Sequence, residues 1–419
     1  MKIGQNKITK SAWSWALYDW ANSAFATTVM AGFGPLFFKS FWASDLEAAS
    51  STWVWGITNS LVGLIIGFLA PILGAYSDIG RFRKKLLGFF VLLGILSTGY
   101  LYFIQQGEWF LAVLFYSLAV IGFSGGNIFY DSLIVFVSEK KERHSVSSLG
   151  FSLGYLGGGL LFIINVLMYL NPSWFGFASQ VDAILWSFLT VAFWWAIFSL
   201  PIFLHVNEGQ NEIKNLRLHH LSIEAFRSVF STLKEIKKYK RVAYFLAAYF
   251  LYIDGVDTII RMATSYGSDI GLEMSSMITA LIVTQFVGFP STLLFGVFAN
   301  RIGFKRILTL GIVVYIVICF YSAYMTSAAE FYFLAAVVGL VQGGVQAISR
   351  SFFSTLIPQN KTAEFFGFFN FIGKTSVIIG PFLVSSIALV LGNPRYGILS
   401  LLLLFIPGLI LLWLIPEKD

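Results

Sequence analysis

Charged residues are scarce in this chain. Only 12% of its 419 residues are Asp, Glu, Lys or Arg, whereas 57% are apolar. A soluble domain carries about 25% charged residues, so these few charges cannot cover the surface of a globule of this size. The composition excludes an ordinary cytosolic enzyme, a disordered chain and a nucleic-acid-binding protein.

Cysteine and histidine are also rare. The single cysteine, Cys319, lies within an apolar run, which excludes an intrachain disulfide. We place the four histidines in polar connecting segments, so the predicted spans hold no His or Cys metal cluster. They also hold no nucleophile–base pair and no phosphate-binding loop. The sequence therefore predicts no cofactor, no nucleotide and no membrane-embedded enzyme. The histidines are His144, His205, His219 and His220.

Long apolar runs, such as 61–73 and 398–415, dominate what the sequence does contain. About 20 residues at a rise of about 1.5 Å cross the roughly 30 Å hydrocarbon core of a bilayer. The polar first ten residues predict no cleavable signal peptide. We predict a polytopic helical protein with twelve spans: 13–40, 53–77, 85–104, 109–137, 146–170, 181–204, 241–266, 274–299, 305–326, 330–357, 363–391 and 396–415.

The basic residues are distributed unevenly among the predicted loops. Of the 28 Lys and Arg residues, 23 fall on the side of the membrane where the chain begins, whereas Lys39 and Arg395 fall opposite. Cytoplasmic loops are enriched in Lys and Arg. This pattern predicts that both termini are cytoplasmic.

Two loops share a motif about half a chain apart, which we call the gating loop motif. Each has a glycine, then Asp or Asn four residues later, then a second glycine and basic residues. The repetition favours a clamp between two halves, although setting the membrane topology would also explain the basic residues. The motif residues are Gly74, Asp78, Gly80, Arg81 and Arg83 after span 2, and Gly296, Asn300, Arg301 and Gly303 after span 8.

The repeat divides the chain into two six-helix halves, 1–204 and 241–419. The connecting segment 205–240 is predicted to form a basic amphipathic helix on the cytoplasmic membrane surface. This organisation predicts an all-α membrane protein with the major facilitator fold, in which twelve transmembrane helices form two pseudo-symmetric halves that rock about a central site.

Residues 18–25 of span 1, Tyr-Asp-Trp-Ala-Asn-Ser-Ala-Phe, resemble the signature of the vacuole effluxer family of the major facilitator superfamily. Similar patterns recur at 252–256, at 342–351 and at 366–368. The resemblance covers nearly the whole chain and implies solute transport, with amino-acid efflux as the best-known association. The chain departs from the family pattern in three places: Asn300 replaces an acidic residue, and Asp257 and Arg261 add charges to span 7.

Seven ionisable residues lie within predicted spans, all on spans 1, 4, 7, 10 and 11. Such residues cost about 2.5 kcal/mol or more at mid-membrane and are candidates for functional sites. With neighbouring amides they form our candidate set for binding the solute or coupling its transport to an ion. The set is Asp19, Asn22, Asn127, Asp131, Asp254, Asp257, Arg261, Gln346, Arg350 and Lys374.

Roles follow from charge and position. Asp131 and Arg350 occupy equivalent places in the two halves, so we expect them to pair as an inner gate. Asp19, as an isolated carboxylate, can exchange a proton or hold the ammonium group of an amino acid, with Arg350 or Lys374 holding its carboxylate. Asp257 and Arg261 are either a structural ion pair or part of the site.

The sequence thus predicts a monomeric secondary active transporter for a small polar, zwitterionic solute, driven by an ion gradient that can be a proton gradient. A sensor or scaffold built on a transporter fold, and a transporter for peptides, sugars or organic ions, remain alternatives.

Overall fold

The computed structural model describes residues 2–3, 6–208, 227–229, 231, 239–269, 271–376 and 379–416. In this part of the chain the fold is helical, apart from a two-residue antiparallel pairing of Lys2–Ile3 with Asn6–Lys7. Ten helices in the described ranges are long and apolar enough to cross a membrane, and they correspond to spans 2 to 10 and span 12. Span 1 consists of shorter consecutive helices, and span 11 is helical in its described residues on either side of 377–378.

The first six spans have bounds close to those predicted. Span 1 begins with Lys10–Ala24 and continues through Phe25–Phe33, Gly34–Phe37 and Phe38–Trp42. Spans 2 to 6 are Ala48–Gly80, Arg83–Tyr100 with Leu101–Phe103, Trp109–Ser132 with Ile134–Val137, Arg143–Leu170 and Gln180–His205.

The last six spans follow the same pattern. Spans 7 to 10 are Lys240–Asp269, Met274–Ile302, Phe304–Ser322 and Ala328–Leu356. Span 11 is helical over its described ranges Thr362–Ser376 and Ile379–Leu391. Span 12 comprises Pro394–Leu399 and Leu402–Trp413. We call the end of the bundle where span 1 begins the inner end and the opposite end the outer end.

Span 1 changes its winding near the middle of the bundle. Thr9 caps its start by accepting a hydrogen bond from the Ala12 backbone N–H at 3.1 Å, and α-helical geometry lasts until Ala24. The turns at Phe25–Phe33 are wider and π-helical. Wide turns of this kind occur often at functional sites, and this one directly follows the polar residues of the predicted signature.

Among the described residues, the buried apolar core is continuous between the halves only at the inner end. One buried cluster combines inner residues of spans 1, 3, 4, 5 and 6 with residues throughout the second half, for example Leu87, Val146, Phe295 and Phe353. A second cluster, around Phe25, Trp42 and Trp195, consists of first-half residues alone. The two halves therefore pack together at the inner end.

The expectation that all four histidines lie in connecting segments is wrong for His144, which is in the first turn of span 5, and for His205, which is the last helical residue of span 6. Most of the predicted linker helix, including His219 and His220, lies outside the described residues. Its described residue Val229 packs against Ala75 and Phe368 at the inner ends of spans 2 and 11.

Candidate functional site

A buried cluster of three charges joins the two halves. Arg350 of span 10 contacts Asp19 of span 1 at 3.2 Å and Asp131 of span 4 at 3.1 Å. All three residues are less than a tenth exposed. We call Asp19, Asp131 and Arg350 the charge cluster. The guanidinium group can serve both carboxylates because it is planar and presents its N–H groups in a fixed fork.

Span 5 holds the guanidinium group in place. Arg350 donates from Nε to the Ser147 hydroxyl at 3.0 Å and from Nη2 to the Ser147 carbonyl at 3.0 Å. The Ser147 hydroxyl in turn donates to the Ala347 carbonyl of span 10 at 2.8 Å. These hydrogen bonds fix the position of the cation relative to both halves.

Aromatic rings surround the charge cluster. The guanidinium carbon of Arg350 lies 4.8, 5.4 and 4.2 Å from the ring centroids of Trp15, Tyr130 and Phe151. Such cation–π contacts are worth more when water is excluded. The Tyr130 hydroxyl also donates to Asp19 at 2.7 Å. The cluster is thus buried among aromatic rings, and Ser147 and Tyr130 add hydrogen bonds to its charges.

Gly150 provides the space for this arrangement. A Cβ atom there would lie 2.6 Å from an Asp19 carboxylate oxygen and 3.1 Å from Arg350 Nη2. Neither group can move away without losing its charged partner. The glycine-rich stretch of span 5 therefore permits close helix packing and also makes room for the cluster.

The expectation that Asp19 is an isolated carboxylate is wrong, because Arg350 and Tyr130 both bind it. The contact between Asp131 and Arg350 is present as the sequence suggested, although its role as a gate stays a prediction. Two carboxylates share one guanidinium group, so the cluster carries one uncompensated negative charge when both carboxylates are ionised.

Amide side chains extend the polar region from the cluster toward the middle of the bundle. Asn22 donates to Asn127 at 2.8 Å, which joins spans 1 and 4. Asn370 of span 11 approaches Asp131 at 3.4 Å. Gln346, one turn before Arg350, is half-buried. The structure therefore brings together candidate residues from spans 1, 4 and 10, with span 11 beside them.

The charged residues of span 7 lie in different surroundings. Asp254 is completely buried and accepts hydrogen bonds from the Gly380 backbone and from Thr258. Asp257 is half-buried and Arg261 is exposed, and whether they act as a structural pair stays open. The side chain of Lys374, the remaining candidate, lies outside the described residues.

The gating loop motif after span 2 touches the other half. A Cβ atom on Gly74 would overlap the Ala363 carbonyl, so only glycine permits this approach of span 2 to span 11. Asp78 accepts from the backbone N–H groups of Ala363 and Glu364 at 3.1 and 2.8 Å, and it also forms an ion pair with Arg83. The carboxylate thus faces the N-terminus of span 11, where the helix dipole favours negative charge.

The motif after span 8 makes the pseudo-symmetric contact. A Cβ atom on Gly296 would lie 2.6 Å from Ser148 of span 5, and Asn300 donates to the Ser145 hydroxyl at 2.6 Å. The second glycine differs between the motifs: Gly303 has a φ of 88°, whereas Arg81, not Gly80, takes the left-handed conformation after span 2. Arg301 is exposed.

Two contacts between the halves were not predicted. Arg143 donates to the Ser354 carbonyl at 2.6 Å, and His144 Nδ1 lies 2.7 Å from the Ser351 hydroxyl. These residues begin span 5 and face span 10. The sequence around these two residues is polar and typical of a loop, so it did not indicate the contacts. The only available signal was the position of Arg143 just before an apolar run.

Among the described residues, hydrogen bonds between the halves extend outward only as far as Thr27 and Gln285, which lie 3.3 Å apart. All the others lie closer to the inner end, between spans 1, 2, 4 and 5 of the first half and spans 8, 10 and 11 of the second. The structure therefore represents an inner-closed state.

Comparisons with known proteins agree with this architecture. The family model described as "Vacuole effluxer Atg22 like" matches residues 48–419. The chain is 41% identical to the "Uncharacterized MFS-type transporter YxiO" of Bacillus subtilis, over 98% of this chain and 96% of that protein. It is 25% identical to "Autophagy-related protein 22" of Yarrowia lipolytica, over 83% of this chain and 73% of that protein.

Solved structures show the same fold at low sequence identity. The proton:xylose symporter XylE superposes with a TM-score of 0.70 at 13% identity, covering 98% of this chain and 95% of that one. The human organic anion transporter MFSD10 superposes with a TM-score of 0.73 at 14% identity, covering 97% and 100%. The predicted major facilitator fold is confirmed, and the chain belongs to the vacuole effluxer Atg22-like family of major facilitator transporters.

Proposed function

We propose that the protein is a proton-coupled secondary active transporter that moves a small zwitterionic, amino-acid-like solute by alternating access. The observation that carries this proposal is the charge cluster, because it joins both halves at the inner end through side chains that a solute can also bind. The two halves correspond to 1–204 and 241–419, joined by 205–240, and the inner end faces the cytoplasm of a bacterial cell.

The charge balance of the cluster supports proton coupling. Two carboxylates and one guanidinium group leave one negative charge in a buried, aromatic-lined site. An uncompensated buried charge is costly, and one proton on either carboxylate removes it. A proton taken up at this cluster while the inner end is closed can leave from the same carboxylate when the inner end opens.

The same balance favours a solute that carries both charges. In the inner-closed state Asp19 and Arg350 satisfy each other at 3.2 Å. An ammonium group on Asp19 and a carboxylate on Arg350 can replace that contact without leaving either residue unpaired. A solute with a single charge can pair with only one of these two residues and leaves the other without its partner. Zwitterion binding therefore exchanges the gate contact for solute contacts and permits the halves to separate.

Flux into proteoliposomes tests the proposal. Radiolabelled amino acids, dipeptides, sugars and organic anions are offered with and without a pH gradient across the membrane. We expect uptake of zwitterionic amino acids that the pH gradient accelerates, and we expect a protonophore to abolish this acceleration. Uptake confined to sugars or organic anions, or no uptake of any solute, would contradict the proposal.

A matched pair of variants locates the proton site. Asp19→Asn keeps the shape of the side chain but cannot exchange a proton, so the remaining uptake should no longer respond to the pH gradient. Asp182→Asn removes a carboxylate at the outer start of span 6, where Ser179 contacts it at 2.9 Å. This control should respond to the gradient as the unmodified protein does. An undiminished response in Asp19→Asn would exclude Asp19 as the coupling site.

A further inference from the structure

Arg261 is a cation in the outer part of span 7, and it does not belong to the charge cluster. Its side chain is exposed, although it lies about 12 Å inside the outer end of the helix. Within the described part of the chain it forms no hydrogen bond or ion pair. A charged side chain at such a depth normally faces the interior of the bundle or a water-filled cavity. Because the inner end is closed, water reaches this residue from the outer side.

The charge of Arg261 acts across the space between the halves. It interacts electrostatically with Tyr116 of span 4, in the first half, and with Asp254 of its own span. Tyr116 and Trp55 of span 2 each lie about 10 Å inside the outer ends of their helices, at a depth similar to that of Arg261. Arg261 therefore faces the first half.

Aromatic rings of the first half lie together at this depth. The Trp55 ring packs against Tyr116, with 4.2 Å between the ring centroids, and against Phe38 of span 1, with 5.1 Å. Tyr116 is buried beneath its neighbours, whereas Trp55 is only half-buried. Part of the Trp55 ring is thus open to a further contact. We call Phe38, Trp55 and Tyr116 the outer aromatic platform.

Asn59 adds hydrogen-bond acceptors beside the outer aromatic platform. Its side-chain oxygen accepts from the Tyr116 hydroxyl at 2.8 Å, and its side-chain N–H donates to the Trp55 carbonyl at 2.8 Å. These bonds fix both side chains and leave a second lone pair on the amide oxygen, together with the hydroxyl oxygen, as acceptors. A guanidinium group would therefore find ring surface and acceptors here, and none of these residues is charged.

We infer that Arg261 is the latch of an outer gate: when the outer end closes, its guanidinium group packs on the outer aromatic platform and joins span 7 to spans 2 and 4. Arg350 makes the same kind of contact at the inner end, where it lies against three rings. A cation–π contact gains strength when water is excluded, so closure itself strengthens the latch. The inference rests on the proposed alternating access, since only a transporter needs its two ends to close in turn.

Distances between spin labels across the outer end test this inference. One label replaces Gln106, in the outer loop between spans 3 and 4, and the other replaces Tyr324, after span 9. Both positions are exposed, and the buried Cys319 is replaced by Ala to leave two labels. The double variant Asp19→Asn with Asp131→Asn serves as the parent, because opening the inner end favours closure of the outer end. We expect a short distance to dominate in this parent.

Arg261→Gln keeps a long polar side chain but removes the charge. It should lower the ratio of short to long distances by about tenfold, whereas Arg261→Lys should retain most of the ratio, since an ammonium group also binds an aromatic face. Trp55→Leu should act like Arg261→Gln, and the two together should do no more than either alone, because both remove one contact. Arg261→Gln decides the question if Trp55→Leu does not fold. The matched control is Lys39→Ala, which removes an exposed cation at the outer end of span 1 and should change nothing.

Three results would overturn the inference. The first is an unchanged ratio in Arg261→Gln, which indicates that Arg261 only anchors its helix at the outer lipid head groups. The second is additive losses in Arg261→Gln and Trp55→Leu. The third is the absence of a short distance both in the parent and in the unmodified protein during solute exchange.

These outcomes are separate from the failure of the proposed function. A protein that transports no zwitterion can still close its outer end through Arg261. A zwitterion transporter whose distances do not depend on Arg261 keeps its function and lacks the latch.

Discussion

At the scale of single residues, Arg350 is the centre of the protein. It binds two carboxylates and stacks against three aromatic rings. The sequence indicated its contact with Asp131, because the two residues hold equivalent places in the repeat. It did not indicate the contact with Asp19, which lies 331 positions away, because periodicity within a span says nothing about which helix faces it.

Charge reversals at the cluster should have unequal effects. Asp131→Arg leaves two cations and one carboxylate, whereas Arg350→Asp leaves three carboxylates in a buried site. We expect both to reduce transport by at least about 100-fold, since breaking a buried pair costs about 3–5 kcal/mol. Arg350→Asp should also lower the melting temperature more. Flux and thermal unfolding of the purified variants measure these effects.

The double exchange Asp131→Arg with Arg350→Asp restores one opposite-charge pair between the two halves. It should recover part of the transport lost in either single variant. A double variant as inactive as both singles would show that Asp131 and Arg350 do not act as a pair.

At the scale of helices, hydropathy predicted where the spans lie but not where their winding changes. The widened turns at Phe25–Phe33 stay within an apolar run, so their composition matches that of a continuous α-helical span. The gating loop motif was visible because it repeats. Its contacts with spans 5 and 11 depend on how the halves pack, which no local pattern encodes.

Two glycine-to-alanine replacements in span 2 should distinguish a glycine that is required for close helix contact from one that is not. Gly74→Ala places a methyl group against the Ala363 carbonyl, which prevents close approach of spans 2 and 11. We expect transport to fall by about tenfold, corresponding to about 1.4 kcal/mol lost from inner closure. Gly63→Ala lies on the same helix, and a Cβ atom there meets nothing within 4 Å.

Flux at saturating solute, compared with the amount of folded protein, measures both span 2 variants. Gly63→Ala should retain transport within about twofold, because exposed alanine in a helix costs nothing relative to glycine. Equal losses of transport in Gly74→Ala and Gly63→Ala would show that Gly74 has no special role in the contact between the halves.

At the scale of the whole molecule, the two halves meet at the inner end through one apolar core and one network of polar contacts. In the proposed mechanism, the solute and protons act on this network at the charge cluster. Fold class, number of spans and candidate spans followed from the sequence. The conformational state did not, because it is set by contacts between surfaces that belong to different helices.

The distance across the inner end tests the central claim most directly. Spin labels at Lys140 and Arg306, both exposed at the inner end, report the separation of the halves, with Cys319 again replaced by Ala. The double variant Asp19→Asn with Asp131→Asn leaves Arg350 buried without a carboxylate, a cost of about 3–5 kcal/mol that shifts a two-state population by more than about 100-fold. We predict a short distance in the unmodified protein and a longer, dominant one in the double variant, with Asp182→Asn unchanged. The same short distance in the double variant would contradict the claim that the charge cluster closes the inner gate.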